Sequence, residues 1–260
     1  MVTILGVVVG VLAVLAAMVL KHIPFVAFMN PAAFVIIIVG TVASILNSFT
    51  ARELKNIGSL FKILFGPDKK GNERKIIEDM VNFAAITRKD GFLALESKLN
   101  EIDDPFMHKG IKMVCDGADA DFIRDLMNVE IDAMKERHAI NASIFTSAGT
   151  YAPTLGVLGA VFGLIAAMSN INDVGIMAEA VAAAFMATIL GIFTGYVLWT
   201  PFSVKLKTKS RTEVAEKMMV IEGILSLQHG DPPIRIREKL LAMLPPSVQN
   251  ELSKEERADA

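Results

Sequence analysis

Between Thr146 and Val204 the chain carries only two charges, Asp173 and Glu179. Two apolar runs of this length, parted by the polar turn Ser-Asn-Ile-Asn-Asp at 169–173, leave few folds open. As a helix, each half rises about 1.5 Å per residue and so covers the roughly 30 Å of a hydrocarbon core. The stretch predicts a transmembrane helical hairpin closed by a very short turn.

Small residues recur along the first run at Gly149, Pro153, Gly156, Ala160, Gly163 and Ala167, and along the second at Ala180, Ala184, Thr188, Gly191 and Gly195. Bulky Leu158, Phe162 and Ile165 point elsewhere. Lipid tails supply no hydrophobic drive between helices, so close backbone approach at small residues is what holds membrane helices together. A lone small pair would mark ordinary association, but two long stripes, one with an interior proline and one with a threonine, suit a moving or ion-lined interface. Pro153 removes a backbone bond and is expected to bend its helix, freeing a carbonyl that needs a partner.

The chain is 260 residues long, 53% hydrophobic and 21% charged, with a mean hydropathy of +0.48, so it is divided between lipid and water. An uncharged run to Lys21 lacks a basic leader and a cleavage site, and is expected to stay as a first span. Asn30 followed by Pro31 reads as a helix cap opening a second span, from Ala32 to about Phe49. Of 26 Lys and Arg, fifteen fall from Arg52 to Arg137 and ten from Lys205 to Arg257, while only Lys21 lies between spans on the opposite side. This asymmetry places both termini in the cytoplasm. Tyr196 and Trp199 suit the interface at the end of the fourth span.

Outside the membrane the pattern is helical throughout. Leu54, Ile57, Phe61 and Leu64 share one face of a helix at 51–65 expected to lie on the cytoplasmic membrane surface. After the breaker at 66–72, helices are expected at 73–89, 92–101 and 104–115, and one from about Asp121 runs on into the third span. The fourth span continues to Gly230, a shorter helix ends at Pro245–Pro246, and the residues from Ser253 are expected to be loose. The fold class is all-α: a polytopic membrane protein with four transmembrane helices and a helical cytoplasmic domain. Its parts are 1–50, 51–140, 141–204 and 205–260.

No nucleophile motif, phosphate loop or metal-ligand spacing is present, and His22, His108, His138 and His229 are scattered. A net charge of −2 with no basic stripe excludes a nucleic-acid binder. Cys115 has no partner for a disulfide and is expected to be a buried, reduced thiol. No span holds an ionisable group at mid-depth, where one would cost about 2.5–3.5 kcal/mol on insertion scales. If ions cross here, another chain supplies the carboxylate.

Three motifs carry a resemblance: Thr-Tyr-Ala-Pro-Thr-Leu-Gly-Val-Leu-Gly-Ala at 150–160, Ala-Thr-Ile-Leu-Gly-Ile-Phe-Thr-Gly-Tyr-Val-Leu-Trp-Thr-Pro at 187–201, and Arg-Lys-Asp-Gly-Phe-Leu-Ala-Leu-Glu at 88–96. Together with Asn-Pro-Ala at 30–32 and the four-span layout, they resemble the MotA/PomA family of bacterial flagellar stator subunits over nearly the whole chain. The resemblance implies five copies around two copies of a single-span, MotB-type partner that carries the ion-binding aspartate and a peptidoglycan-binding domain. It implies a torque-generating role at the inner membrane, against a FliG-type rotor switch protein, with no cofactor beyond the translocated ion. It places the ion path and the partner helix at Thr154, Gly156, Ala160, Gly163 and Thr188. Pro153 and Pro201 match the prolines that couple ion passage to conformational change. Arg88 and Glu96 match the charged pair that engages the rotor. Sodium-driven members have threonine where this chain has Ala160, so the missing hydroxyl favours protons, which need fewer oxygen ligands.

The nearest alternative is the related ExbB/TolQ class, which energises envelope transport with three spans rather than four. A passive scaffold or a self-sufficient channel fits poorly with paired small stripes and uncharged spans.

Overall fold

The computed structural model describes residues 2–23, 30–67 and 71–259, with side chains to residue 252. The linker at 24–29 and the middle of the breaker at 66–72 lie outside the described residues. Among the described residues every regular element is helical. Four helices are long and apolar enough to cross a membrane: α1 (Val2–Leu20), α2 (Pro31–Ser48), α7 (Ala120–Ser169) and α8 (Val174–Gln228).

Local signals fix the ends of these helices. Asn30 Oδ1 accepts from the Ala32 and Ala33 amides at 3.1 and 3.2 Å, and Pro31 occupies the first turn, where no amide is needed. Asp173 Oδ1 accepts from the Ile176 amide and opens α8. Two spans contain a widened π-helical turn, Val35–Val39 in α2 and Thr194–Trp199 in α8. The Thr194 hydroxyl, itself buried, donates to the carbonyls of Leu190 and Gly191 at 2.8 and 3.2 Å where the second of these turns begins.

The chain divides into two compact units. The first comprises residues 1–68 and 137–209, the second 69–136 and 210–260. In the first, the four spans are joined by α3 (Ala51–Leu54) and α4 (Ile57–Phe65). These replace the single helix expected at 51–65: a capping box between Thr50 and Glu53 starts α3, and the chain turns at Lys55–Asn56 before restarting. The 51–67 segment clusters with the spans, not with the residues that follow, because Leu60 and Leu64 are buried against Ala142, Phe145, Phe202 and Leu206. Phe61, Phe65, Phe145, Trp199 and Phe202 form a mostly edge-to-face aromatic group there. Lys205 Nζ donates to Thr3 Oγ1 at 2.7 Å, Thr3 donates to the Leu64 carbonyl, and Lys209 Nζ donates to the Ile63 carbonyl. The unbonded carbonyls at the end of α4 are thus capped from α1 and α8.

The second unit holds α5 (Glu73–Asp90), a 3₁₀ helix (Phe92–Glu101), α6 (Pro105–Cys115), the first part of α7, the last part of α8, α9 (Pro233–Ala242) and α10 (Pro246–Asp259). Its core is built from Met80, Leu95, Phe106, Ile111, Ile123, Met127, Ile131, Ile224, Leu227 and Leu240. Asp104 caps α6 through the Phe106 and Met107 amides. The residues from Ser253, expected to be loose, continue α10 to Asp259. The 92–101 segment, expected as an ordinary helix, is tightened to three residues per turn after Gly91, whose φ of +80° reverses the chain.

Candidate ion-path and coupling site

The two small stripes meet each other. A β-carbon on Gly156 would lie 2.9 Å from the Ala187 carbonyl oxygen and 3.0 Å from Gly191 Cα. One on Gly163 would lie 2.7 Å from Ala184 Cβ and 3.0 Å from the Ala180 carbonyl oxygen. At Gly191 the atoms in the way would be the Ala152 carbonyl oxygen and Gly156 Cα, both at 2.8 Å. The third and fourth spans therefore touch backbone to backbone along most of the hairpin.

This corrects one expectation. Gly156 and Gly163 were expected to face a foreign helix, but they are filled by this chain's own fourth span. The physical reason is the turn at 170–173. It returns the second stripe directly alongside the first, and two lean faces held so close find one another before any partner does.

The other residues expected on the path are placed differently. Thr154 is exposed on α7, while Ala160 and Thr188 are half-buried. The Thr154 hydroxyl donates to the Thr150 carbonyl at 3.2 Å, and that of Thr188 to the Ala184 carbonyl at 3.3 Å. Beyond Thr154 the exposed side of α7 is apolar, and Val161, Leu164, Ile165, Met168 and Ser169 line an open groove at its outer end. Glu179 is exposed near the start of α8, and no described span has an ionisable side chain at mid-depth.

α7 passes through Pro153 without interruption. The half-buried ring rests in the gap left by Gly195, within the widened turn of α8. Pro153 cannot donate to the Gly149 carbonyl, and that carbonyl lies against Gly195 instead. Pro201, two residues after Trp199, is exposed within α8. The structure thus holds Pro153 in a packed joint and leaves Pro201 on the surface.

Sequence reasoning missed the polar links beside this joint. Ser48 Oγ and Tyr151 Oη are 3.0 Å apart, tying α2 to α7, and Thr146 Oγ1 and Ser203 Oγ are 2.7 Å apart, tying α7 to α8. Thr41 Oγ1 and Trp199 Nε1 are buried with no hydrogen-bonding partner among the described residues. Periodicity carries no trace of such links, since each joins residues far apart in sequence.

In the second unit, Arg88 lies in the last turn of α5 and Glu96 on the 3₁₀ helix, on either side of Gly91. Both are exposed, and among the described residues neither has an ion-pair partner. The half-buried Cys115 thiol lies 3.7 Å from the Phe92 carbonyl oxygen; burial, followed by the charges of Glu96 and Asp116, pushes its pKa up and keeps it protonated. Among the described residues no group of His, Cys, Asp and Glu could hold a metal ion.

Residues 98–219 match the MotA/TolQ/ExbB proton channel family. Over 243 residues the chain is 46% identical to Motility protein A of Bacillus subtilis, covering 94% of this chain and 90% of the relative. It is 31% identical to Chemotaxis protein PomA of Vibrio alginolyticus, covering 89% and 90% of the two chains. Among solved structures, the flagellar MotAB stator complex of Bacillus subtilis matches with a TM-score of 0.90 at 45% identity, covering 96% of this chain and 98% of that one. A C. jejuni MotAB structure matches with a TM-score of 0.88 at 30% identity, covering 94% and 95%. The four spans, the paired small faces and the near full-length identity lead to one conclusion: this chain is a membrane-embedded member of the motility protein A family of flagellar stator subunits.

Proposed function

We propose that this chain couples proton flow across the bacterial inner membrane to torque on the flagellar rotor, with both termini in the cytoplasm. The carrying observation is a lack: no described span holds a titratable group at mid-depth, so the acid that binds the ion belongs to another chain. A MotB-type, single-span subunit with a peptidoglycan-binding domain supplies that aspartate. Five copies of this chain form a ring around two copies of it. The solved relatives, described as MotAB complexes, support such an assembly.

In this reading the exposed part of the third span, from Thr154 outward, and the half-buried Ala160 and Thr188 face the partner helix. Ala160 offers no hydroxyl to replace a sodium ion's water, which favours a proton as the translocated species; no cofactor is required. Pro153 at the packed joint and Pro201 on the surface transmit the change, and Arg88 and Glu96 engage oppositely charged groups on a FliG-type rotor protein. One charge crossing 100 mV releases about 2.3 kcal/mol, enough to break a few polar contacts per step. Swimming speed measured over a range of sodium at fixed pH tests the choice of ion. It stays constant if protons drive rotation, and a rise with sodium would overturn that part of the reading.

A further inference from the structure

Thr146, Thr150 and Thr154 follow one another at four-residue spacing along the inner part of the third span, and all three are exposed. Each hydroxyl donates to the carbonyl one turn earlier: Thr146 to Ala142 at 3.3 Å, Thr150 to Thr146 at 3.1 Å and Thr154 to Thr150 at 3.2 Å. With its only proton turned inward, each hydroxyl presents lone pairs to the exposed side. At the inner end Thr146 Oγ1 meets Ser203 Oγ of the fourth span, which is only 2% exposed. Further out the same side of the helix carries Val157, Val161, Ile165 and Met168, with no polar side chain until Ser169.

We infer that Thr154, Thr150 and Thr146, with the buried Ser203 hydroxyl donating to Thr146 and holding it in place, form an acceptor-lined lane by which a proton leaves the partner's acid for the cytoplasm. The inference rests on the proton-coupled reading above. Threonines four apart on a helix are about 6 Å apart, too far for direct transfer, so a water sits between successive hydroxyls and donates to them. The excess proton moves from water to water, one O–H bond forming as another breaks, while the hydroxyls accept hydrogen bonds and stay un-ionised. A cation suits a row of lone pairs, and an anion does not. The apolar outer half keeps the same side of the helix dry, so water enters from the cytoplasmic end only. An exposed threonine with its donor satisfied in this way also tolerates lipid, and conductance separates that role from the lane.

The test uses the full chain assembled with its single-span partner in liposomes, with proton entry under an imposed potential read by a trapped pH dye. Thr150→Val keeps the shape of the side chain and removes the acceptor. It should lower proton conductance by about fivefold, with an unchanged yield of assembled complex. Thr150→Ser should restore it, and Ser203→Ala, which frees Thr146, should also lower it, by less than Thr150→Val. Unchanged conductance in both Thr150→Val and Ser203→Ala overturns the lane while leaving the proton-coupled reading standing. An unsubstituted complex that conducts no protons overturns both.

Discussion

Gly195 of the fourth span and the ring of Pro153 in the third meet so closely that a β-carbon on residue 195 would lie 2.6 Å from Pro153 Cγ. The same β-carbon would approach the Gly149 carbonyl oxygen to 2.9 Å, the group that Pro153 leaves without its helical donor. Glycine at 195 is therefore required by the proline at 153. Gly195→Ala should destabilise the protein by roughly 1–3 kcal/mol through overpacking, seen as a lower thermal midpoint and less assembled complex. Pro153→Ala should do the opposite of Gly195→Ala in kind: assembly stays normal and torque on tethered cells is lost. Normal swimming of Pro153→Ala would remove this joint from the coupling mechanism.

The hairpin contact makes a graded prediction among glycines. Gly191→Ala places a methyl group 2.8 Å from both the Ala152 carbonyl oxygen and Gly156 Cα, backbone atoms that cannot turn aside. Gly6→Ala on the first span meets nothing within 4 Å. The first should lower the unfolding temperature measurably in detergent, while the second should stay within about 0.5 kcal/mol of the parent. Equal effects would mean that the two spans are held apart from one another in the assembled protein.

How much of this was legible in the sequence depends on the range of the interaction. The four spans follow from uninterrupted apolar runs, and the cap at Asn30 follows from a polar side chain next to proline, both local signals. The stripes at Gly149–Ala167 and Ala180–Gly195 were also visible, but small residues report that some backbone comes close and not which one. Hence Gly156 and Gly163 were assigned to a foreign helix when they face Ala187, Gly191 and Ala184. The tightened turn at Phe92–Glu101 was hidden because periods of 3.0 and 3.6 scarcely separate over ten residues. Ser48–Tyr151 and Thr146–Ser203 left no pattern at all, being long-range pairs of single hydroxyls.

Arg88 and Glu96 are both exposed and have no ion-pair partner among the described residues, so their charges are available to another protein. Arg88→Glu should reduce swimming severely while leaving proton conductance of the assembled complex unchanged. A compensating charge reversal on the rotor should restore part of the loss, since close pairs of opposite charge set register and partner choice. Loss of conductance in Arg88→Glu would place the residue in the ion path or in assembly instead.

The Lys75–Asp103 ion pair, at 2.9 Å, gives the second unit a definite pH dependence. The hydrogen bond from Lys75, then its charge, holds the Asp103 carboxyl below its ordinary value of 3.8. The hydrogen bond to Asp103, then its charge, raises Lys75 above 10.5. A lowered carboxyl pKa means that the stabilisation is present above pH 3.8 and is lost as pH falls through the lower, folded value. Asp103→Asn should therefore flatten the acid side of the stability curve, with little effect at neutral pH because the pair is exposed. A thermal midpoint recorded from pH 7 down to pH 3 checks this.

The central claim is that this polypeptide supplies an uncharged wall and a neighbouring chain supplies the titrating acid. Proton conductance in liposomes should be measured for this chain alone, with the single-span partner, and with a partner whose membrane aspartate is replaced by asparagine. The account predicts conductance in the second sample and background leak in the first and third. Conductance from this chain alone, equal to that of the pair, would contradict it.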